Sequence, residues 1–477
     1  MNCLAEADVL EVVRGIDEAA LTSDGIGLRF LDAGRAREDG VRLWVTTPLG
    51  YTYFYVLPRS MEEVSSGLRP EALSMVPLMD RVEALAEAAD TIDDMRDQLV
   101  RLLSAETGKE RAAAREEVEA AAMLLRGAER LAEGRPASGR GMLLAPRSGS
   151  YWTSVVVPST RGVALVLPPF TAPFFGSVAG IAAALVAGMP VVVKAPWQAA
   201  ASSLAAALIV RKTDLSEFVS AAPWRGAPEF SGLSTVILFG RRETSSAVWR
   251  ELGVRPVSNC SGRAALVLCS EPSDYESLAK EVAGLSVSHA GQACGSVRWV
   301  IARRGLTGPL VDSLADVLEQ MSVGSPLEGK DVGPLRSRGL VERAHRVVND
   351  AIVKGAQAVL ELRSSGNYAS PALLRGVPRA ADLLYTDLQA PVLAVTEVED
   401  CSEAVSTASM ISAASHVLFH GPLATAVSLA SSRPGLIVVR LKEEGGVPST
   451  SPCYVLGDPV DALSGGTEIW ERSLLLF

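Results

Sequence analysis

Gly291-Gln292-Ala293-Cys294-Gly295 sets one thiol in a glycine-flanked loop, between a helix-like run ending near His289 and an apolar strand-like run over 297–302. Loops at the ends of regular elements are where reactive side chains usually sit. A thiol is the strongest neutral-pH nucleophile among side chains: a few per cent is thiolate even unperturbed, and positioned N–H groups raise that share. On the loop alone, Cys294 also reads as a buried small hydrophobe, the commoner fate of a free cysteine. The other five cysteines, Cys3, Cys260, Cys269, Cys401 and Cys453, are scattered without CxxC spacing, and the four histidines form no metal-ligand pattern. That pattern predicts neither a disulfide framework nor a zinc site, and a reducing, cytoplasmic setting.

The elements that must position such a loop come next. A chain of 477 residues is long enough for two or three domains, and 48% hydrophobic against 21% charged residues is a globular balance. A net charge of −10 argues against a nucleic-acid surface. Acids within the first ten residues and the lack of a basic start predict no signal peptide. Residues 162–193 carry no charge, but Pro168, Pro169, Pro173, Gly176, Gly180, Gly188 and Pro190 divide them. They read as strand, loop, buried helix and second strand, not as a membrane span.

Residues 1–72 carry no recognisable chemistry; 41–57, β-branched and aromatic around Pro-Leu-Gly, predict a hairpin. Apolar residues at helical spacing predict an amphipathic helix over 82–103, stopped at Glu106-Thr107-Gly108-Lys109, and a second over 111–132. Glu116, Glu117, Glu119 and Arg126 read as the solvated face of that second helix. After a Gly/Pro/Ser/Arg-rich stretch at 139–149, the β-rich run 151–158 would be an exposed edge unless another strand or subunit covers it. Strands at 163–167, 190–194 and 235–239 then alternate with helices at 174–187, 199–210 and 243–252. A second series follows, with strands at 264–269, 297–302, 357–361, 391–396, 415–419 and 435–440, and helices at 274–288, 307–321, 402–411 and 422–431. The fold class is therefore α/β, two doubly wound parallel-sheet domains meeting near 257–262. Ligands of such sheets bind beyond the carboxyl ends of the strands, yet no G-x-G-x-x-G is present.

Seven motifs in order resemble the aldehyde dehydrogenase superfamily over roughly residues 75–445. Glu106-Thr107-Gly108-Lys109 is similar to D/E-T-G-K, and Arg161-Gly162-Val163 with Pro168-Pro169-Phe170-Thr171-Ala172-Pro173-Phe174 to P-x-G-V and T-P-W-N-F-P. The run 187–196 resembles A-G-N-x-V-V-x-K-P, Leu238-Phe239-Gly240-Arg241 stands for F-T-G-S, and Asn259-Cys260-Ser261-Gly262-Arg263 for E-L-G-G-K. Gly291-Gln292-Ala293-Cys294 matches G-Q-x-C, and Asp387-Leu388-Gln389-Ala390-Pro391-Val392 takes the slot of E-x-F-G-P-V. The resemblance implies NAD(H) or NADP(H) lying across a sheet without a glycine fingerprint, held by Lys194 and Asp387 at its two riboses and lined by Pro169, Phe170, Trp197, Gly240 and Arg241. It implies Cys294 as the nucleophile, Thr171 and the Cys294 N–H as the oxyanion site, and a homodimer or homotetramer. The implied layout is a cofactor domain of 73–140 and 160–258, a catalytic domain of 259–445, and oligomerisation elements at 141–159 and 446–477.

Departures from the family pattern shape the expected reaction. Asn259 stands where the glutamate that activates water belongs, so hydrolysis of an acyl-enzyme is expected to be slower by ~10²- to 10⁴-fold. Thr171 replaces the asparagine oxyanion donor, and Trp197 the acid that disfavours a 2′-phosphate, with Arg241 or Arg242 at hand to pair one. Alternatively Trp197 is packing and the arginines are surface charge. His289, five residues from Cys294, reads as a tuning group or as a hydrogen-bonded structural residue. The expectation is NAD(P)H-dependent reduction of an activated carboxylate, a thioester (coenzyme A- or carrier-linked) or an acyl adenylate, to an aldehyde through acyl-Cys294. An oxidising aldehyde dehydrogenase is the alternative, and an inactive relative serving as a binding protein is a third reading.

Overall fold

The computed structural model describes residues 4–129, 142–144, 154–156, 162–240, 242–254, 256–259, 263–409, 414–432, 437–441 and 474–476. Its first sheet contains Phe30–Asp32 (β1), Arg35–Arg37 (β2), Val163–Leu167 (β3), Val191–Ala195 (β4), Val219–Pro223 (β5), Leu233–Phe239 (β6) and Val257–Asn259 (β7), in the order β7-β6-β3-β4-β5-β1-β2. The strands from β7 to β5 run parallel, and β1 and β2 close one edge antiparallel. Helices Arg96–Thr107 (α1) and Arg111–Arg126 (α2) precede β3, while Pro173–Val186 (α3), Ala200–Arg211 (α4) and Arg242–Leu252 (α5) follow β3, β4 and β6.

Strand β3 shows why this sequence makes an inner strand. All five of its residues are buried, Ala164 and Val166 in a core shared with α3 and α4, Val163, Leu165 and Leu167 in a core on the opposite face. A strand covered on both sides has no polar face to alternate with, which is the continuous apolar run visible in the sequence. The opposite face is covered by Phe54, Val56, Met61 and Val64. The N-terminal segment thus completes the first sheet's packing, as edge strands and as cover. Its predicted hairpin pairs Val41–Thr46 with Thr52–Leu57.

The second sheet holds Arg263–Leu268 (β8), Val297–Arg303 (β9), Gln357–Leu360 (β10), Ala372–Arg375 (β11), Val392–Val398 (β12), Ala414–His420 (β13), Ile437–Arg440 (β14) and Leu474–Leu476 (β15). Their order is β10-β11-β12-β9-β8-β13-β14-β15, with a core of its own. Helix Tyr275–Val287 (α6) links β8 to β9, and Cys401–Ser409 (α7) links β12 to β13.

Two of these expectations are corrected. The helix expected over 82–103 is two helices, Leu78–Asp94 and α1, broken at Met95, where φ is −101° and ψ 10°. Gly108 ends α1 in the left-handed conformation, as expected of its glycine. Residues 474–476, within the tail expected to serve oligomerisation, pair with β14 in the second sheet; 446–473 lie outside the described residues. Among 141–159, Met142–Leu144 and Ser154–Val156 form a two-stranded antiparallel sheet. The expectation of no disulfides fails at Cys269 and Cys401, which are bonded across 132 residues with Cα atoms 5.2 Å apart, tying the end of β8 to the start of α7. Among the described residues, no helix is long and apolar enough to cross a membrane, and no cluster of His, Cys, Asp and Glu could hold a metal ion.

Candidate active site

Helix α6 does not run directly into β9. After Val287 the chain makes a left-handed turn, with φ of 51° at His289, 52° at Ala290 and 72° at Gly291. Side chains resist this conformation by roughly 1–2 kcal/mol per residue, so neighbouring groups must hold the first two. At Gly291 a side chain is excluded outright: a Cβ would lie 2.2 Å from the Ala390 carbonyl oxygen. Gln292 braces the turn, donating to the His289 carbonyl at 2.9 Å and the Pro334 carbonyl at 3.2 Å, and accepting from the Arg336 N–H at 2.8 Å.

The turn carries Cys294 into a cavity of about 420 Å³. Pro169, Phe170, Thr171, Lys194, Trp197, Gly240 and Asp387 line that cavity with it, so eight of the ten residues singled out from the sequence share one space. Asn259 ends β7 in register with Phe239 on the cavity wall, and its backbone alone is described. Arg241 lies outside the described residues. Behind the loop is a second cavity of about 530 Å³, bordered by Ser288, Ala293, Gly295 and Glu110. Cys294 itself is disulfide-bonded. Its sulfur can act as a nucleophile only once that bond is reduced, because the thiolate is the reactive form.

Five consecutive residues, Glu106 to Glu110, anchor this arrangement. The Glu106 carboxylate accepts the Tyr53 and Tyr55 hydroxyls, both at 2.6 Å, and the Ala201 and Ser202 N–H groups, both at 2.7 Å, so it caps α4, a helix with no capping side chain of its own. The Thr107 carbonyl lies 3.1 Å from His289 Nε2. Lys109, fully buried, forms an ion pair with Glu117 and donates to the Thr171 carbonyl at 2.8 Å. Glu117 in turn accepts the Phe174 and Phe175 N–H groups at 2.9 and 3.0 Å, capping α3. Glu117 is therefore no part of a solvated face, a correction to the reading of α2; Arg126 is exposed as expected. Glu110 accepts the N–H groups of His289 and Ala290 at 2.9 and 3.1 Å.

The titratable groups sort by burial. His289 is fully buried, stacked on Phe170 with ring centroids 5.7 Å apart, and loss of hydration with the nearby Lys109 charge pushes its pKa down to about 3. A histidine that stays neutral throughout the physiological range fits the structural reading. Burial also lowers the pKa of Lys194, which Glu251 opposes, and that of Arg298, which Asp387 opposes. Sequence reasoning missed Arg298. It donates to the Ala293 carbonyl at 3.2 Å, beside Cys294, and stands 3.7 Å from the Asp387 carboxylate. A basic residue four positions after the nucleophile was the available signal.

The aldehyde dehydrogenase family model matches residues 65–414, most of the chain. The chain belongs to the aldehyde dehydrogenase family. Among its relatives, the NADP-dependent glyceraldehyde-3-phosphate dehydrogenase of Pisum sativum is 26% identical over 371 residues, 72% of each chain. The enzyme of that name from Streptococcus equinus is 25% identical, over 72% of this chain and 75% of its own. Two solved structures share the fold. One is the NADP-dependent glyceraldehyde-3-phosphate dehydrogenase of Bacillus halodurans C-125 complexed with NADP, with TM-score 0.74 and 23% identity over 85% of this chain and 88% of that one. The other is the salicylaldehyde dehydrogenase of Pseudomonas putida G7 complexed with salicylaldehyde, with TM-score 0.78 and 18% identity over 89% and 94%.

The cavity of this aldehyde dehydrogenase suits a large polar ligand. Asp387 Oδ1 and the Nε and Nη1 atoms of Arg298 are buried without a hydrogen-bond partner among the described residues; Oδ1 and Nη1 face each other as an ion pair at 3.7 Å, too long for a hydrogen bond, which leaves each with capacity for a ligand group. Ribose hydroxyls, which donate and accept, match that mixed set.

Proposed function

We propose that this chain is an NADP-dependent aldehyde dehydrogenase that oxidises an aldehyde through a covalent bond to Cys294. The observation that carries this reading is the placement of Cys294 in one cavity with Thr171, Lys194 and Asp387. Once reduced, the Cys294 thiolate attacks the carbonyl carbon and forms the C–S bond, and the carbonyl oxygen takes the negative charge. Thr171, whose carbonyl is tethered by Lys109, offers its hydroxyl to that oxygen. The nicotinamide, when bound, supplies the two-electron acceptor. Lys194 and Asp387 would hold its riboses, with Arg298 keeping Asp387 oriented.

The relatives' named activity supports oxidation better than the reductive direction inferred from Asn259. Of the carboxylates on the cavity wall, Asp387 is linked to the Cys294 loop through Arg298, which makes it the candidate to activate water in place of the missing glutamate. Asn259 sustains a second reading, in which the acyl group passes to or from a thiol instead of water.

The test is an assay of aldehydes with NADP, and of acyl-CoA esters with NADPH, before and after dithiothreitol. Aldehyde-dependent NADPH formation, at least about 10-fold faster after reduction, is expected. Aldehyde release from acyl-CoA without aldehyde oxidation would transfer the assignment to the second reading, and silence in both assays would favour a binding protein.

Cofactor choice rests on the far end of the cavity. Arg225, adjacent in the chain to the lining residues Trp224 and Gly226, lies over the Trp197 ring, 4.6 Å from its centroid, while Lys194 and Glu251 are on the cavity wall itself. Trp197 also packs against the first sheet's core, which supports its structural reading. An arginine stacked on that indole is placed to pair with a 2′-phosphate. Arg225→Ala is expected to raise KM for NADP about 10-fold and KM for NAD by less than about 2-fold. Equal effects on both would show that Arg225 does not select the cofactor.

A further inference from the structure

Glu110 occupies the position just before α2, with the extended backbone of a helix-capping residue, yet its side chain makes no capping bond to that helix. Its carboxylate crosses to the other domain and accepts the N–H groups of His289 and Ala290, the two non-glycine residues held in the left-handed conformation. It does so from the wall of the second cavity, behind the loop that presents Cys294. We propose that Glu110 is a positioning residue for the reaction, clamping the left-handed turn so that Cys294 faces the cofactor cavity, with the clamp tightened when Glu110 is ionised. This inference rests on Cys294 being the nucleophile.

The chemistry is that of two donors sharing one acid. A carboxylate offers an oxygen to each N–H, whereas the neutral acid turns one oxygen into a donor and can satisfy only one fully. The charged groups around Glu110 nearly balance. Arg111 and Glu116 come from its own helix, Lys280 and Glu281 from α6, and Lys330 and Asp331 from the loop before Pro334, with Lys109 adjacent in the chain and His289 neutral. Loss of hydration therefore dominates and pushes the Glu110 pKa up to about 7, against its own N–H, those of His289 and Ala290, and Lys109, which pull it down.

The linkage has two signs. Folding favours the protonated acid, so stability from this group is greatest below about 4.5 and is lost as pH rises through about 7. Loop order moves oppositely, growing as the carboxylate forms over the upper part of that range. A group that merely supports the fold would move both together.

The test compares wild type with Glu110→Gln and Glu110→Asp between pH 6 and 8, with Cys294 reduced. In wild type, kcat for aldehyde oxidation is expected to rise with an apparent pKa near 7, and amide exchange across 288–294, corrected for intrinsic rates, to slow over the same range. Glu110→Gln is expected to lower kcat about 10-fold at pH 8, to abolish both pH dependences and to raise Tm at pH 8. Glu110→Asp should retain them in weakened form. A pH-independent exchange rate across 288–294 in wild type overturns the clamp, and it can be read whether or not the variants fold. Exchange that follows Glu110 while no aldehyde is oxidised would uphold the clamp and reject the enzymatic reading.

Discussion

Alanine at Cys294 is expected to lower aldehyde oxidation by at least about 10⁴-fold while leaving cofactor affinity within about 3-fold, as measured by NADPH formation and by fluorescence titration. Removing a covalent nucleophile has cost as much as ~10⁶ in kcat elsewhere, because the remaining groups bind and polarise but cannot form the bond. No substitute is at hand on the described cavity wall. Thr171 and Thr244 are weak nucleophiles without an adjacent base, and His289, with its pKa near 3, is turned toward the Thr107 carbonyl. Serine at this position should do little better, since an alcohol, unlike a thiol, is a weak nucleophile at neutral pH unless a base acts on its own hydroxyl. Substantial oxidation by the alanine variant would dismiss Cys294 and, with it, the covalent route.

The largest loss of stability is expected at Glu117. Its replacement by alanine leaves Lys109 charged and buried without its partner and strips the first N–H groups of α3 of their acceptor. Breaking one side of a buried pair typically costs about 3–5 kcal/mol. The variant should unfold at markedly lower denaturant and lose activity, because Lys109 also tethers the Thr171 carbonyl. The double variant Lys109→Met with Glu117→Leu should recover part of the loss, since two apolar groups leave no buried charge behind. A single-variant cost below about 1 kcal/mol, read from guanidinium unfolding curves, would mean the pair is hydrated in solution.

The parallel sheets were legible because inner strands are continuous apolar runs: 163–167 and 191–195 can be read by eye, and the alternation with helices gives the topology. Strand β5, Val-Ser-Ala-Ala-Pro, was not, since alanine, serine and proline have little preference for strands and the run is recruited by pairing with β4. The cavity's lining was legible through motif order, with Cys294, Thr171, Lys194 and Asp387 arriving together. The supports were not. Glu117 and Glu110 look like surface acids because their partners lie 57 and 179 residues away, and charge alternation says nothing about what a helix packs on. The Cys269–Cys401 bond escaped for the same reason, its 132-residue separation carrying no spacing signal. Family resemblance set the reaction's direction by the missing glutamate alone; a base recruited from Asp387 has no counterpart in that pattern.

The acids that cap α3 and α4 bear on how a dinucleotide can enter. Glycine-rich turns exist so that a diphosphate can approach the start of a helix and take its unsatisfied amides. Behind β3 and β4 that approach is already occupied by Glu117 and Glu106, whose carboxylates have accepted the first amides of α3 and α4. With those amides already taken, a glycine-rich turn after β3 or β4 would open onto a helix end with nothing left to offer a phosphate, which accounts for the missing fingerprint.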